Sequence, residues 1–227
     1  TLFRSLFDGG EHHFLSRWGY AALMGLLHNY EITAPFIVQS NDAFRRLKKG
    51  YEAPICIVAS LGRTLEVPSR NRTVLVGLIR DLEDPFATRF ELRSPNPHTN
   101  TYLAMATTLQ SMLDGIKWAV SSDKNEDQLL AELCKGPGDE ADYLEKDRMY
   151  RSEDDVFTAY NDEERDILFG QAPASVWENV QNFDRYPEKM PTLTAGGVFT
   201  PELISSFRMA VTEKWRVELE HRIIPNF

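Results

Sequence analysis

Residues 88–120 constrain the fold most, because a short strand, a proline stop and a long helix follow one another there. Thr88 to Arg93 predicts a strand, which Pro95 and Pro97 end. Asn100 or Thr101 can cap a helix that runs to Val120. Apolar residues form a wide stripe along this helix, so we expect burial on more than one side. They are Leu103, Met105, Leu109, Met112, Leu113 and Ile116.

Hydrophobic spacing predicts the other regular elements. Apolar residues at helical spacing predict a helix from Leu15 to Tyr30, and short β-rich runs predict strands over residues 55–60 and 71–79. The residues between these strands read as a loop, and later helices are predicted within 124–136, 175–184 and 201–224. Strands embedded among helices without strict alternation predict an α+β fold, with antiparallel strands and surrounding helices.

Residues 135–165 are rich in acidic side chains and contain several tyrosines. Such a run is typical of a solvated segment. We expect an exposed acidic loop or insert at this place.

Composition excludes several classes of protein. The 227 residues have a net charge of −9, so we expect no binding to nucleic acid or to an acidic membrane face. No apolar run is long enough to cross a bilayer. Cys56 and Cys134 are too few for a disulfide scaffold, and we expect buried, reduced thiols in a cytoplasmic protein. The start lacks a signal peptide and an initiator methionine, which predicts a fragment.

Five charged residues lie at strand ends or in a glycine-bounded loop. Arg46 precedes the loop KKGYEAP, which holds Glu52, and Arg72 opens the second strand. Glu91 and Arg93 are two residues apart on the third strand, so both project from one face. Arginine forks suit carboxylates and phosphates, and carboxylates suit Mg²⁺. Surface ion pairs and a solvated loop acid explain the same residues more simply.

Several strings resemble the catalytic domain of glutamine synthetases, in family order. RRLKKGYEAP is similar to the family's KRLVPGYEAP, and SRNRTVLV to its ARNRSA strand. RFELRSPNPHTNTYLAMATTLQSMLDGIKW and LTAGGVFTPELI resemble two later stretches. The resemblance covers most of the chain, with a weak middle from about Ser121 to Met190. It implies that residues 1–227 are the C-terminal portion of that domain.

The resemblance implies a role for each of the five residues. Arg46 and Arg93 would bind glutamate, and Arg72 would lie between the ATP phosphate and the reacting carboxyl group. Glu52 would close the site and take a proton from ammonium. Glu91 would be a ligand of the metal ion on the nucleotide side.

The implied reaction is the ATP-dependent joining of ammonia to glutamate through γ-glutamyl phosphate, with Mg²⁺ or Mn²⁺ as cofactor. Fixed guanidinium groups and metal ions stabilise the charge that develops on phosphoryl and carbonyl oxygens. A closing loop keeps water from the acyl phosphate, and Gly50 gives it backbone freedom. The resemblance also implies a homo-oligomeric ring.

The chain departs from the family pattern at two positions that contact ATP phosphates. Gly77 stands where the commonest bacterial form has arginine, and Phe86 where it has lysine. Arg80 and Arg89 are candidate substitutes. The family's N-terminal β-grasp domain, its paired metal-binding glutamates and its histidine find no match, so we expect the isolated chain to be inactive.

Two other functions remain open on the sequence. A γ-glutamyl ligase of the same fold can use a larger amine, such as a polyamine, in place of ammonia. A non-catalytic relative can serve as a sensor; Gly77 and Phe86 favour this slightly, whereas the retained charged set opposes it.

Overall fold

The computed structural model describes residues 6–48 and 54–221. Its helices are α1 (Arg17–His28), α2 (Tyr30–Ile37), α3 (Asn41–Phe44), α4 (Thr101–Ser122), α5 (Glu126–Leu133), α6 (Asp162–Leu168), α7 (Val176–Arg185), α8 (Met190–Thr194) and α9 (Pro201–His221). Its strands are β1 (Cys56–Ser60), β2 (Val74–Ile79) and β3 (Arg89–Leu92). The α+β class is confirmed. No described helix combines the length and apolar character that a membrane span requires.

The sheet has the order β1-β2-β3 and is mixed. β2 and β3 are antiparallel, with Gly77 opposite Glu91. β1 and β2 are parallel, so the prediction of antiparallel strands holds for one pairing and is wrong for the other. The physical reason is the connection over residues 61–73, which is long enough to return the chain to the start of the sheet.

Helices α1 and α4 approach each other closely through small residues. A Cβ atom on Gly25 would lie 2.2 Å from the carbonyl oxygen of Ser111, and one on Gly115 would lie 2.1 Å from that of Ala21. Of the long apolar side chains of α4, Leu103, Met112 and Ile116 also pack against the core. The predicted burial on more than one side is therefore wrong for part of the stripe, since Met105, Leu109 and Leu113 are exposed.

Helix α2 is not predicted by the sequence pattern, because Pro35 lies inside it. A proline has no N–H group to donate to the carbonyl four residues earlier, here that of Glu31. The side-chain amide of Asn182 donates to this carbonyl instead, at 3.0 Å. A contact from α7 thus satisfies the acceptor that proline leaves open.

The acidic segment over residues 135–165 is irregular but packed. Its backbone pairs with the free edge of β1, where Ala59 donates to Tyr150 and Ser152 donates to Ala59, each at 2.9 Å. Tyr150 and Val156 are fully buried and Leu144 nearly so. Acidic residues such as Asp139 and Asp147 are exposed, as predicted. The prediction is wrong for the apolar and aromatic residues among them, which enter the core.

The two cysteines differ in their surroundings. Cys56 is buried in β1, as predicted, and burial raises its pKa to about 12. Cys134 is exposed at the end of α5, so the prediction of a buried thiol is wrong there. Its sulfur accepts a hydrogen bond from Nη1 of Arg151 at 3.0 Å.

Candidate functional site

Glu91 and Arg93 lie on one face at the end of β3, over Gly77 of β2. Nε of Arg93 is 3.4 Å from Oε1 of Glu91, and Nη1 of Arg93 donates to the carbonyl oxygen of Asn71. The Arg93 side chain is only 9% exposed, whereas that of Glu91 is 46% exposed. A Cβ atom on Gly77 would lie 2.6 Å from Nη2 of Arg93. Glycine at 77 therefore leaves the space that the Arg93 guanidinium fills.

Arg46 follows α3 and reaches the chain that leaves β3. Its Nη2 donates to the carbonyl oxygens of Arg93 at 3.0 Å and Ser94 at 2.9 Å, and also contacts that of Pro95. Its Nε is buried and has no hydrogen-bond partner in the described part of the chain. The guanidinium thus ties the segment after α3 to the backbone at the end of β3.

Arg72 lies one residue beyond the carbonyl that Arg93 contacts. Asn71 fixes this turn: its amide nitrogen donates to the carbonyl oxygen of Asp154 at 2.7 Å, and its Oδ1 accepts from the backbone of Thr73 at 2.9 Å. Arg72 lines an open cavity of about 430 Å³ with two further arginines, Arg63 and Arg70. The cavity can attract anions, although the carboxylates of Glu153 and Asp155 also line it.

Glu153 holds the loop that forms this cavity. Its carboxylate accepts from the backbone N–H groups of Leu61 and Gly62, each at 2.9 Å, and from Nε of Arg151 at 2.8 Å. Burial alone would raise the pKa of Glu153, but the hydrogen bonds from Ser60, Arg151 and these N–H groups lower it. The ionised carboxylate therefore anchors the end of β1 and the loop after it.

The two candidate substitutes for missing phosphate contacts lie at the other end of β2. Arg80 follows β2, and its guanidinium lies 5.7 Å from the ring centroid of Phe14. Burial lowers its pKa. Arg89 stands opposite Ile79 and donates to the carbonyl oxygen of Ala87 at 3.0 Å. Arg46 and Arg93 donate to the carbonyl oxygens of residues 71 and 93–95. The structure does not place Arg80 or Arg89 at these carbonyl groups.

The predicted acid Glu52 and the glycine Gly50 lie outside the described residues. Among the described residues, no three histidine, cysteine or carboxylate side chains are placed to hold a metal ion. Glu91 is a single half-exposed carboxylate beside Arg93. The described residues alone thus do not form a complete site for Mg²⁺ or Mn²⁺, and further ligands are needed.

Two positioning residues escaped the sequence analysis. Asn71 is part of the NRT string, but only the structure shows that its side-chain nitrogen donates a hydrogen bond and its side-chain oxygen accepts one. Glu153 lies in the acidic segment, where many similar residues surround it, so no local signal distinguishes it. Both act by fixing the loop that presents Arg72.

The sequence is similar to curated glutamine synthetases. The family model described as glutamine synthetase, catalytic domain, matches residues 4–140. The enzyme of Frankia alni is 34% identical over 176 residues, which are 68% of this chain and 35% of that protein. The enzyme of Mycolicibacterium smegmatis is 33% identical over 212 residues, which are 90% of this chain and 36% of that protein. The chain spans about a third of the length of these relatives.

Solved structures show the same fold. A glutamine synthetase from Plasmodium falciparum superposes with a TM-score of 0.63 at 17% identity, over 94% of this chain and 42% of that one. GmaS in complex with ADP gives the same TM-score at 22% identity, over 96% of this chain and 40% of that one. At these identities the likeness concerns the fold alone.

Proposed function

Because this chain belongs to the glutamine synthetase catalytic-domain family, we propose that it supplies the C-terminal portion of a catalytic domain that joins ammonia to glutamate. ATP is the second substrate, and γ-glutamyl phosphate is the intermediate. The complete protein would be a cytoplasmic homo-oligomeric ring. Among residues 6–48 and 54–221 no group of three side chains is placed to hold a metal ion, so we expect the isolated chain to be inactive.

The cluster at the end of β3 supports this proposal best. Arg93 is nearly buried, and its guanidinium lies beside the half-exposed carboxylate of Glu91. Arg46 is held against the same turn, and Arg72 follows the carbonyl that Arg93 contacts. Guanidinium groups fixed in this way can bind carboxylate and phosphoryl oxygens without further reorganisation.

Each residue has a distinct task in the proposed reaction. Arg46 and Arg93 would hold glutamate, and Arg72 would stabilise charge on the transferred phosphoryl group. Glu52 would close the site and accept a proton from ammonium. Of these four, only Glu52 lies outside the described residues.

Glu91 would contribute one carboxylate ligand to a divalent metal ion, which supplies charge neutralisation on phosphate oxygens when bound. The remaining ligands must come from residues other than the described ones. This requirement is the reason to expect no activity from the chain alone.

Phosphate release by the full-length protein, with ATP, Mg²⁺ and glutamate, tests the proposal. Ammonium is compared with methylamine, ethylamine and a polyamine at equal concentrations. We expect ammonium to give the highest kcat/KM. A preference for one of the larger amines would assign the protein to γ-glutamyl-amine ligases of the same fold. No phosphate release with any amine would refute catalysis and favour a sensor.

A further inference from the structure

A second polar cavity lies at the N-terminal end of α2. It shares no residue with the cluster around Arg93. Its volume is about 280 Å³, at the lower end of the range for small-molecule sites. Its walls come from the end of α1, the middle of α4 and the segment around α8. Its polar lining includes His28, Asn29, Gln110, Asp114, Lys117 and Glu188.

The floor of this cavity consists of polar side chains held in place by the fold. Asn29 is fully buried, and its Nδ2 donates to Oδ2 of Asp114 at 3.0 Å. The hydroxyl of Tyr143 donates to the same oxygen at 2.6 Å. Nε2 of Gln110 donates to the carbonyl oxygen of Ala195 at 2.6 Å. These bonds leave Oδ1 of Asn29, Oδ1 of Asp114 and Oε1 of Gln110 as acceptors.

Two buried polar atoms of the cavity lack hydrogen-bond partners. Oδ1 of Asn29 and Nδ1 of His28 have no hydrogen-bond partner in the described part of the chain. A buried polar atom without a partner is unfavourable, and an incoming donor would relieve this. Burial lowers the pKa of His28, and the charge of Lys189 lowers it further, so the imidazole is neutral at pH 7. The wall formed by His28 therefore does not repel a cation.

The rim carries one unpaired charge of each sign. Lys117 on α4 and Glu188 before α8 are exposed, and within residues 6–48 and 54–221 neither has an ion-pair partner. The other lysine of the cavity, Lys189, is already occupied: its Nζ donates to the carbonyl oxygen of His28 at 2.7 Å and to Glu31 at 3.0 Å. Lys117 is thus the cation that remains for a ligand.

We propose that this cavity binds a small zwitterion of the α-amino-acid class. The ligand's ammonium group would donate to Oδ1 of Asn29 and to the free oxygens of Asp114 and Gln110. It would also approach Glu188. Its carboxylate would pair with Lys117. The cavity volume limits the ligand to a short side chain.

Three probes that differ by one charged group test the proposal. 2-Aminobutyrate has both groups, n-propylamine lacks the carboxylate, and butyrate lacks the ammonium group. We follow the backbone and side-chain amide NMR signals of the ¹⁵N-labelled chain during titration. We expect saturable shifts at Asn29 and Gln110, with n-propylamine about tenfold weaker than 2-aminobutyrate, as the loss of one charge-assisted contact implies. Butyrate should give no shifts there.

Single charge-removing variants identify each contact. K117Q should weaken 2-aminobutyrate about tenfold and leave n-propylamine unchanged, whereas E188Q should weaken both. K146Q, an exposed lysine away from the cavity, is the matched control and should change nothing. Shifts confined to residues near Arg46 and Arg93 would place the ligand in the proposed glutamate site and overturn the inference. Equal binding of butyrate, or no saturable shift at Asn29, would also overturn it.

Discussion

The substitution of Lys189 by methionine should destabilise the chain strongly, because this lysine neutralises a buried acid. Its Nζ lies 3.0 Å from Oε2 of Glu31, and the two side chains are only 5% and 3% exposed. Arg148 pairs with the other oxygen of Glu31 at 2.8 Å. Glu31 lies within the part that matches the family model, whereas both cations lie beyond it. The contact therefore joins α2 to the part of the chain beyond the family-model match.

The expected loss of stability follows from the charged contacts that remain in the variant. Removing one partner of a buried ion pair commonly costs about 3–5 kcal/mol. In K189M the Glu31 carboxylate keeps Arg148, so we expect the lower end of that range, about 3 kcal/mol. Urea unfolding followed by circular dichroism measures this change.

K146M is the matched control, since its partner Glu140 is also a glutamate, 2.7 Å away, but both are exposed. An exposed pair contributes little, and we expect the unfolding midpoint of K146M to stay at the wild-type value. Equal effects of K189M and K146M would refute the role assigned to burial.

The same pair predicts a pH dependence. Burial alone would raise the pKa of Glu31, but Lys189 and Arg148 outweigh it and lower the pKa below its ordinary value of 4.5. A depressed pKa stabilises the fold above the unfolded-state pKa, and the contribution is lost as the pH falls from there through the folded-state value. Wild-type stability should therefore decline below about pH 4.5, and K189M should show a shallower decline. Parallel pH profiles for the two proteins would contradict this assignment.

Three further changes test the packing. G25A should destabilise by about 3 kcal/mol in thermal unfolding, because its Cβ atom would meet the Ser111 carbonyl at 2.2 Å; an unchanged midpoint would contradict the close helix contact. G77A should lower the free energy of unfolding by about 1 kcal/mol. Displacing Arg93 loses a charge-assisted hydrogen bond, and this loss is partly offset because alanine suits a strand better than glycine. Its effect should shrink in an R93M background, and additive effects would exclude displacement as the cause. With a thiol reagent at neutral pH, Cys134 should react in the native chain and Cys56 only after unfolding; two fast thiols would show that β1 is not buried.

Hydrophobic periodicity predicted the elements whose first and last residues are determined by neighbouring residues in the sequence. Asn100 accepts from the backbone N–H groups of Tyr102 and Leu103, as expected of the cap of α4. Helix α2 was missed because Pro35 disfavours a helix. The carbonyl that this proline leaves open accepts a hydrogen bond from Asn182 of a distant segment. Long-range contacts of this kind leave no periodic signal.

The apolar stripe of α4 shows a second limit. Spacing identifies apolar residues but does not show which face another helix covers. Gly25 and Gly115 permit a close approach on one face, and this leaves Leu109 and Leu113 exposed. The acidic segment was misjudged for a related reason, because Tyr150 is buried among residues whose average character is polar.

The placement of the site residues was predictable only in part. Strand alternation places Glu91 and Arg93 on one face, and in the structure Nε of Arg93 lies 3.4 Å from Oε1 of Glu91. The contact of Arg46 with the end of β3 and the burial of Arg93 over Gly77 depend on the tertiary fold. The sequence alone does not explain the glycine at position 77. The structure does, because the guanidinium of Arg93 occupies the space that a side chain would need.

The rate of ammonium-dependent phosphate release by an Arg72→Lys variant of the full-length protein tests the central claim most directly. Lysine keeps the charge but loses the guanidinium fork, and we expect kcat to fall by about 10²–10³. Arg208→Lys, at an exposed ion pair with Asp184 on the helical side, is the control and should keep the wild-type rate. Equal rates for wild type and both variants would contradict the proposed role of the cluster at the end of β3.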